Sequence, residues 1–123
     1  MADVSPRARE YSFTLTFLIY PCESTPGKYV AHCLELDLVA VESNRPRAVE
    51  LLKELVEDLI EAAVADGTLE KIFKPAPDEY WKALAHASSY DPPERVRKRH
   101  IKAPRVRHVD YAQVPRGCAF ALA

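Results

Sequence analysis

The stretch KYVAHCLELDLVAVES, residues 28–43, decides the fold together with the run NRPRAVELLKELVEDLIEAAV that follows it, residues 44–64. The first stretch contains two apolar segments of high β propensity, Lys28 to Leu34 and Val39 to Glu42. Only residues 35–38 separate the two segments, and so short a connection favours an antiparallel return over a crossover connection. The second run has the apolar periodicity of a helix. We therefore predict two paired strands and a long helix that packs on them.

The predicted helix has clear start and end signals. Ser43 or Asn44 suits the cap position, and Pro46 is tolerated in the first turn, where its missing N–H would have no intrahelical partner. Gly67 suits the left-handed residue that follows a helix end. The apolar residues form one stripe, and acidic residues fill the opposite face. The stripe consists of Ala48, Leu51, Leu52, Leu55, Val56, Leu59, Ile60 and Ala63.

A further strand precedes this unit. Residues 10–20 read EYSFTLTFLIY, in which apolar and polar side chains alternate as in a half-buried strand. The connection PCESTPG, residues 21–27, is rich in turn residues and predicts a hairpin. After the main helix, Leu69 to Phe73 are a candidate for a short fourth strand. The fold class predicted is α+β, with an antiparallel sheet of three to four strands and one main helix.

The rest of the chain divides by composition. Pro75 and Pro77 precede a short second helix at about residues 77–88, whose Tyr80 and Trp81 share a face that should dock on the body. Residues 1–90 carry 9 Lys and Arg against 15 Asp and Glu, whereas residues 91–123 carry 8 against 3. We predict one α+β domain over 1–90 and a basic extended arm over 91–123.

Composition limits the class of protein. The 123 residues suit one domain, and 48% hydrophobic with 28% charged residues is a globular balance. The three cysteines form no Cys-x-x-Cys pair, which argues against a disulfide framework and against a zinc site. No apolar run approaches the length of a membrane span, and residues 1–10 lack a signal-peptide pattern. A cytoplasmic protein without a membrane partner is expected.

Few residues suggest catalysis. Glu35 and Asp37 are two apart on an extended chain and are weak candidates for a metal site, because two carboxylates leave a two-metal clamp incomplete. His32 and Cys33 are adjacent on a strand, so their side chains point to opposite faces and form no dyad. A packed strand histidine is the better interpretation of His32. Since no Gly-rich loop or Ser elbow occurs, we predict no cofactor and no enzymatic activity.

The basic cluster near the carboxyl end is the candidate interaction site. It can follow a phosphate backbone, or it can lie on the acidic surface of its own or a sister subunit. The acidic body makes the second interpretation the stronger one. The cluster consists of Arg95, Arg97, Lys98, Arg99, Lys102, Arg105 and Arg107.

Residues 10–66 resemble the HicB-like family, the antitoxin domain of HicA/HicB toxin–antitoxin pairs and its stand-alone relatives. The family's Tyr-Val-Ala phrase on strand two matches residues 29–31, its acidic residue and leucine in the next turn match Glu35 and Leu36, and its proline near the helix start matches Pro46. The chain departs from the family in having Asp37 and Leu38 where many antitoxins have Pro-Gly. It also has residues 43–45 in place of Gly-Asp-Thr.

The resemblance implies a β-β-β-α-β fold, a degenerate ribonuclease-H-like arrangement without active carboxylates. Prolines 92, 93, 104 and 115 interrupt any helix long enough to read DNA. The leading hypothesis is therefore a stand-alone, homo-oligomeric binding protein, with a small HicA-like toxin as a further candidate partner. The alternatives are an RNA-binding regulator that uses the basic arm and, less favoured, a metal-dependent nuclease.

Overall fold

The computed structural model describes residues 13–99, 101 and 106–114, with only the backbone described at Phe13 and Arg107. It is an α+β fold with a five-stranded mixed sheet and one main helix, so the predicted α+β class and the main helix are confirmed. The elements in chain order are β1 (Phe13–Pro21), β2 (Tyr29–Cys33), β3 (Leu38–Glu42), α1 (Arg45–Asp66), a 3₁₀ turn (Leu69–Ile72), α2 (Asp78–Ala85), β4 (Ser88–Ser89), α3 (Glu94–Arg97) and β5 (Val106–Gln113).

The first three strands form the predicted antiparallel meander. Ile19 of β1 lies opposite Ala31 of β2, which lies opposite Ala40 of β3. Both connections contain a residue with positive φ: Gly27 at 86° and Asp37 at 52°. Asp is among the few residues other than Gly that adopt this conformation at modest cost, which explains how a tight β2–β3 return is made without glycine.

The rest of the sheet differs from the predicted antiparallel arrangement of three to four strands. The strand order is β3-β2-β1-β5-β4, and β5 pairs in parallel with β1. The two-residue β4 adds to the outer side of β5. The physical reason is that β1, with β2 on one side only, would expose a row of backbone N–H and C=O groups, and β5 satisfies them.

The candidate fourth strand at Leu69 to Phe73 is absent from the sheet. Leu69–Ile72 form a 3₁₀ turn instead. A three-residue repeat places Leu69 and Ile72 on the same side of such a turn, and both pack against the core beneath α1. The prediction of a strand was wrong because it did not take into account the three-residue spacing of Leu69 and Ile72, which suits a 3₁₀ turn.

Helix α1 begins and ends as predicted. The Oδ1 atom of Asn44 accepts a hydrogen bond of 2.9 Å from the backbone N–H of Arg47, and Pro46 stands in the first turn. Gly67 follows the helix with φ of 70°. The buried face of α1 lies on β1, β2 and β3. It consists of Ala48, Val49, Leu52, Lys53, Val56, Ile60 and Ala63.

Both faces of the central sheet are covered. Leu15, Phe17 and Ile19 of β1 point into the core under α1, while Leu18 and Tyr20 point into a second cluster. That second cluster is closed by α2, whose Trp81 donates through Nε1 to the carbonyl oxygen of Ala76 at 2.9 Å. The second helix and its docking were correctly predicted. Strand β1, however, is buried on both faces and not half-buried, because it is central.

The described part of the basic segment is packed into the domain. Glu94–Arg97 are helical, Val106–Gln113 are a strand of the sheet, and Val96, Ile101 and Val114 are buried. The chain here is thus partly helical, where an extended arm was predicted. No helix among the described residues is both long enough and apolar enough to span a membrane.

Candidate functional site

The two candidate metal ligands are engaged in separate hydrogen bonds. The carboxylate of Glu35 accepts from the backbone N–H of Thr16 at 2.7 Å and from its hydroxyl at 2.8 Å. The Oδ1 atom of Asp37 lies 2.8 Å from Nε2 of His32. Within residues 13–99, 101 and 106–114, no three His, Cys, Asp or Glu side chains come together as a metal site would require. Glu35 therefore holds the β2–β3 turn against β1.

His32 is the centre of a buried polar chain. It is 2% exposed, and its Nδ1 lies 3.0 Å from the hydroxyl of Tyr20 while its Nε2 faces Asp37. The neutral tautomer with the proton on Nε2 satisfies both contacts, with Tyr20 donating to Nδ1. Tyr80 of α2 packs edge-on against the imidazole, at 4.6 Å between ring centroids. The predicted packed histidine is thus found, with two polar partners that the sequence did not indicate.

The groups in and beside this buried polar chain have low chemical reactivity. Burial, reinforced by the neighbouring Tyr80, raises the pKa of Tyr20 above its ordinary value, so its hydroxyl stays protonated at neutral pH and is a poor nucleophile. Burial and the nearby Glu35 carboxylate raise the pKa of the Cys33 thiol to about 12. Cys33 and His32 lie on opposite faces of β2, as predicted. The buried polar chain links β1 to β2 through the Tyr20–His32 hydrogen bond, and it contacts α2 through the ring of Tyr80.

The basic cluster is divided among different surroundings. Arg95 pairs with Glu50 at 2.7 Å, Lys98 with Glu94 at 2.7 Å, and Arg97 with Asp91 at 3.0 Å. These side chains are about half exposed or more, and surface pairs of this kind contribute little stability, about 0–1 kcal/mol. Lys102 and Arg105 lie outside the described residues, as does the side chain of Arg107. Arg99 turns inward, towards α1.

Lys53 is a buried cation that the sequence analysis did not single out. It is 2% exposed, and its Nζ donates to the carbonyl oxygens of Val96 at 2.8 Å and Arg99 at 2.9 Å. Burial and the nearby Arg99 lower its pKa to about 8. Lys53 thereby ties α1 to the end of α3. A signal was present, because position 53 lies four residues after Val49 and three before Val56, on the buried face.

Strand β3 is one outer edge of the sheet, and no described strand covers it. Val39 is 47% exposed and Val41 42%, both on the face opposite α1. The register between β3 and β2 runs without a bulge from residue 38 to residue 42. The strand LVAVE contains neither lysine nor proline. Natural sheets protect their edges with such residues, with bulges or with other charges, and on β3 the one charged residue is Glu42 at the strand end, so Val39 to Val41 are open to strand addition.

Comparison of the chain with protein-family models, with curated proteins and with solved structures finds no match. The resemblance to the HicB-like family therefore stays a prediction. What the structure contributes is the placement of the candidate residues: the carboxylates are separated into two hydrogen-bonding roles, and the basic cluster is only partly free. The open, apolar edge of β3 and the buried Nη1 of Arg99, which has no hydrogen-bond partner among the described residues, remain as features that internal packing does not explain.

Proposed function

We propose that the protein is a stand-alone HicB-like binding protein that binds another polypeptide along the outer edge of β3, in the first place a second copy of itself. The β-β-β-α-β arrangement of that family is part of the proposal, and the succession of β1, β2, β3, α1 and the later β5 supports it. The proposed location is the cytoplasm. The free thiols of Cys22 and Cys33 suit a reducing compartment.

The observation that carries the proposal is the exposure of Val39 and Val41 on an edge strand that no described strand pairs with. A strand that adds to such an edge gains main-chain hydrogen bonds and covers the adjacent apolar side chains. The helix layer of α2 covers the same face over β1 and β2 but leaves both valines accessible. A docked strand would bring them into contact with apolar side chains of its own.

The edge is complementary to itself. If two β3 strands pair antiparallel about Ala40, Val39 lies opposite the partner's Val41, and Glu42 lies opposite the partner's Leu38. The pairs of Val39 with Val41 are aliphatic and stabilise a sheet, and the arrangement places no like charges opposite each other. Such a contact is isologous, the form that the commonest homodimers take, and it would make one continuous ten-stranded sheet from two five-stranded ones.

Sedimentation of the full chain at micromolar concentrations tests this proposal. We expect a dimer for the natural sequence and a monomer for Val39→Lys, because a lysine at the centre of the interface would have to be desolvated beside the partner's apolar strand. The matched control is Val64→Lys on α1, where the valine is 41% exposed and distant from β3.

We expect Val64→Lys to sediment as the natural chain does. A natural chain that is monomeric at these concentrations, or a Val39→Lys variant that dimerises as strongly, would disprove the proposal. Circular dichroism of each variant distinguishes loss of pairing from loss of folding.

A small HicA-like protein is the second candidate partner, since it would use the same edge. Such a partner should compete with the second copy of the chain for β3. Its binding should therefore dissociate the homodimer, and the Val39→Lys substitution should weaken that binding. Equal binding to Val39→Lys and to the natural chain would place the partner elsewhere on the molecule.

A further inference from the structure

A cleft lies at the opposite side of the sheet from β3. It has a volume of about 630 Å³ and is enclosed by β4, β5, the end of α3 and the middle of α1. Small-molecule sites occupy about 300–1,000 Å³, so the cleft can take an organic molecule of nucleotide size. Nothing in the proposed dimer contact requires this surface.

Cationic groups dominate the polar lining of the cleft. Lys53 comes from α1, Arg97 from α3, and Arg99 from the residues that follow. One carboxylate, that of Asp110, is also in the lining, and it is already bonded to Nε2 of His108 at 2.8 Å. Among the described residues the lining thus has three cations and one paired carboxylate, while Asp91 and Glu57, which lie near Arg97 and Arg99, are outside it; this excess of positive charge attracts anions.

The donors of these cations are only partly used. Nη1 of Arg99 is buried and has no hydrogen-bond partner among the described residues. Nη2 of the same side chain lies 3.9 Å from Oε1 of Glu57, beyond hydrogen-bonding distance. Lys53 uses two of its three ammonium hydrogens on the carbonyls of Val96 and Arg99. A buried guanidinium N–H without an acceptor is costly, and because the Arg99 side chain as a whole is 35% exposed, it can turn Nη1 outward to meet an oxyanion in the cleft.

The rest of the cleft is suited to an organic group. Ile101, Val106, Val109 and Ala112 supply apolar surface, and Tyr90 adds an aromatic side chain. A site for a free inorganic ion would need no such surface or volume. The combination of a cationic end and an apolar wall is typical of sites for small charged metabolites.

We propose that this cleft binds the phosphate group of a small organic phosphate ester, with Arg99 and Arg97 as hydrogen-bonding ligands and the buried ammonium group of Lys53 adding positive charge nearby. Arg99 is the principal ligand, because turning its guanidinium towards the phosphate gives Nη1 the acceptor that it lacks in the unliganded chain. Arg97 exchanges its surface pair with Asp91 for the phosphate, at small cost since that pair is exposed.

Calorimetry on the full chain tests the proposal with three probes: adenosine monophosphate, inorganic phosphate and adenosine. We expect adenosine monophosphate to bind most tightly, inorganic phosphate to bind more weakly, and adenosine to bind at least tenfold more weakly than its monophosphate. The Arg99→Gln variant should weaken binding of adenosine monophosphate roughly tenfold or more, as expected for loss of charge-assisted hydrogen bonds.

Arg95→Gln is the matched control, because Arg95 belongs to the same segment but pairs with Glu50 outside the cleft lining. It should leave the affinity within about twofold, a small fraction of the effect of a ligand side chain. The proposal fails if neither phosphate-containing probe binds at millimolar concentration, if adenosine binds as well as its monophosphate, or if both arginine variants weaken binding equally. Because Val39 is remote from the cleft, Val39→Lys should bind adenosine monophosphate normally, which keeps this result independent of the dimer.

Discussion

The two edges of the sheet are built in opposite ways. At β3 the backbone edge is open among the described residues, the exposed side chains are valines, and nearby charges are confined to the strand ends. At β5 the edge is closed in part by the two residues of β4, and the adjoining surface is a cationic cleft. The first edge suits a polypeptide and the second suits a small anion, so one sheet offers two surfaces of different chemistry.

The contrast follows from which residues support each edge. The β5 side depends on Lys53, a polar group buried at some cost, whereas the β3 side depends on the turn held by Glu35. Substitutions at these two residues therefore test whether the two edges are as independent as their chemistry indicates.

The largest effect is expected at Lys53. Lys53→Ala removes the donor to the carbonyls of Val96 and Arg99 and leaves a cavity under α1, so the free energy of unfolding should fall by about 3 kcal/mol. Urea denaturation measures the change. Lys82→Ala, on the exposed side of α2, is the control and should change stability by less than about 0.5 kcal/mol. A loss below about 1 kcal/mol for Lys53→Ala would contradict the structural role assigned to this side chain.

A smaller effect is expected at Glu35. Glu35→Ala deprives the N–H and hydroxyl of Thr16 of their acceptor, which should cost about 2 kcal/mol in urea denaturation. Glu35→Gln keeps one oxygen acceptor and should lose less. Glu23→Ala, in the exposed connection after β1, is the control. If Glu35→Ala is as stable as the control, the carboxylate does not hold the turn. The hypothesis that Glu35 is a metal ligand would then have to be tested directly.

The smallest effect is a dependence of stability on pH. The pKa of Lys53 is lowered to about 8 in the folded chain, with Glu50, Arg99 and Tyr111 as the groups that face it. In the unfolded chain it returns to its ordinary value of 10.5. Between these values the unfolded chain binds a proton at Lys53 that the folded chain does not, so the contribution of Lys53 to stability rises with pH.

The measurement is urea denaturation at pH 7.5 and pH 9.5 for the natural chain and for Lys53→Met. We expect the natural chain to gain stability relative to the variant at the higher pH. Cys33, Tyr20 and Tyr111 also have raised pKa values in the folded chain and oppose this trend near pH 9.5, but they are present in both proteins, so the comparison with Lys53→Met isolates the contribution of Lys53. A difference that stays constant, or that falls, would show that Lys53 is not desolvated as described.

The local half of the fold could be predicted from the sequence. The meander, helix α1 with its Asn44 cap and Gly67 end, and the docking of α2 all follow from short-range periodicity and turn chemistry. Strand β5 could not be predicted with its partner, because its pattern VRHVDYAQ does not alternate strictly and its pairing with β1 joins residues about ninety positions apart. Periodicity carries no information on such a pairing.

The candidate sites were predictable to a lesser degree. The spacing of Glu35 and Asp37 drew attention to both carboxylates, but their hydrogen bonds depend on Thr16 and His32, which only the folded turn brings near. Lys53 was missed because its hydrogen-bond partners lie 43 and 46 residues further along the chain. The basic cluster stays a prediction as an interaction site, and the division of its described members into paired and inward-facing side chains depends on where α3 ends.

The parallel pairing of β1 with β5 has a consequence for synthesis on the ribosome. Strand β1 leaves the ribosome early, pairs with β2 and receives α1, but its other edge stays bare until residues 106–113 have been made. A nascent chain at that stage carries the apolar sequence FTLTFLIY with unpaired backbone groups, the kind of segment that associates with other chains. Truncation before Val106 should therefore produce an insoluble product. In the full chain, the addition of β5 covers the open edge of β1 and so protects the new sheet from aggregation.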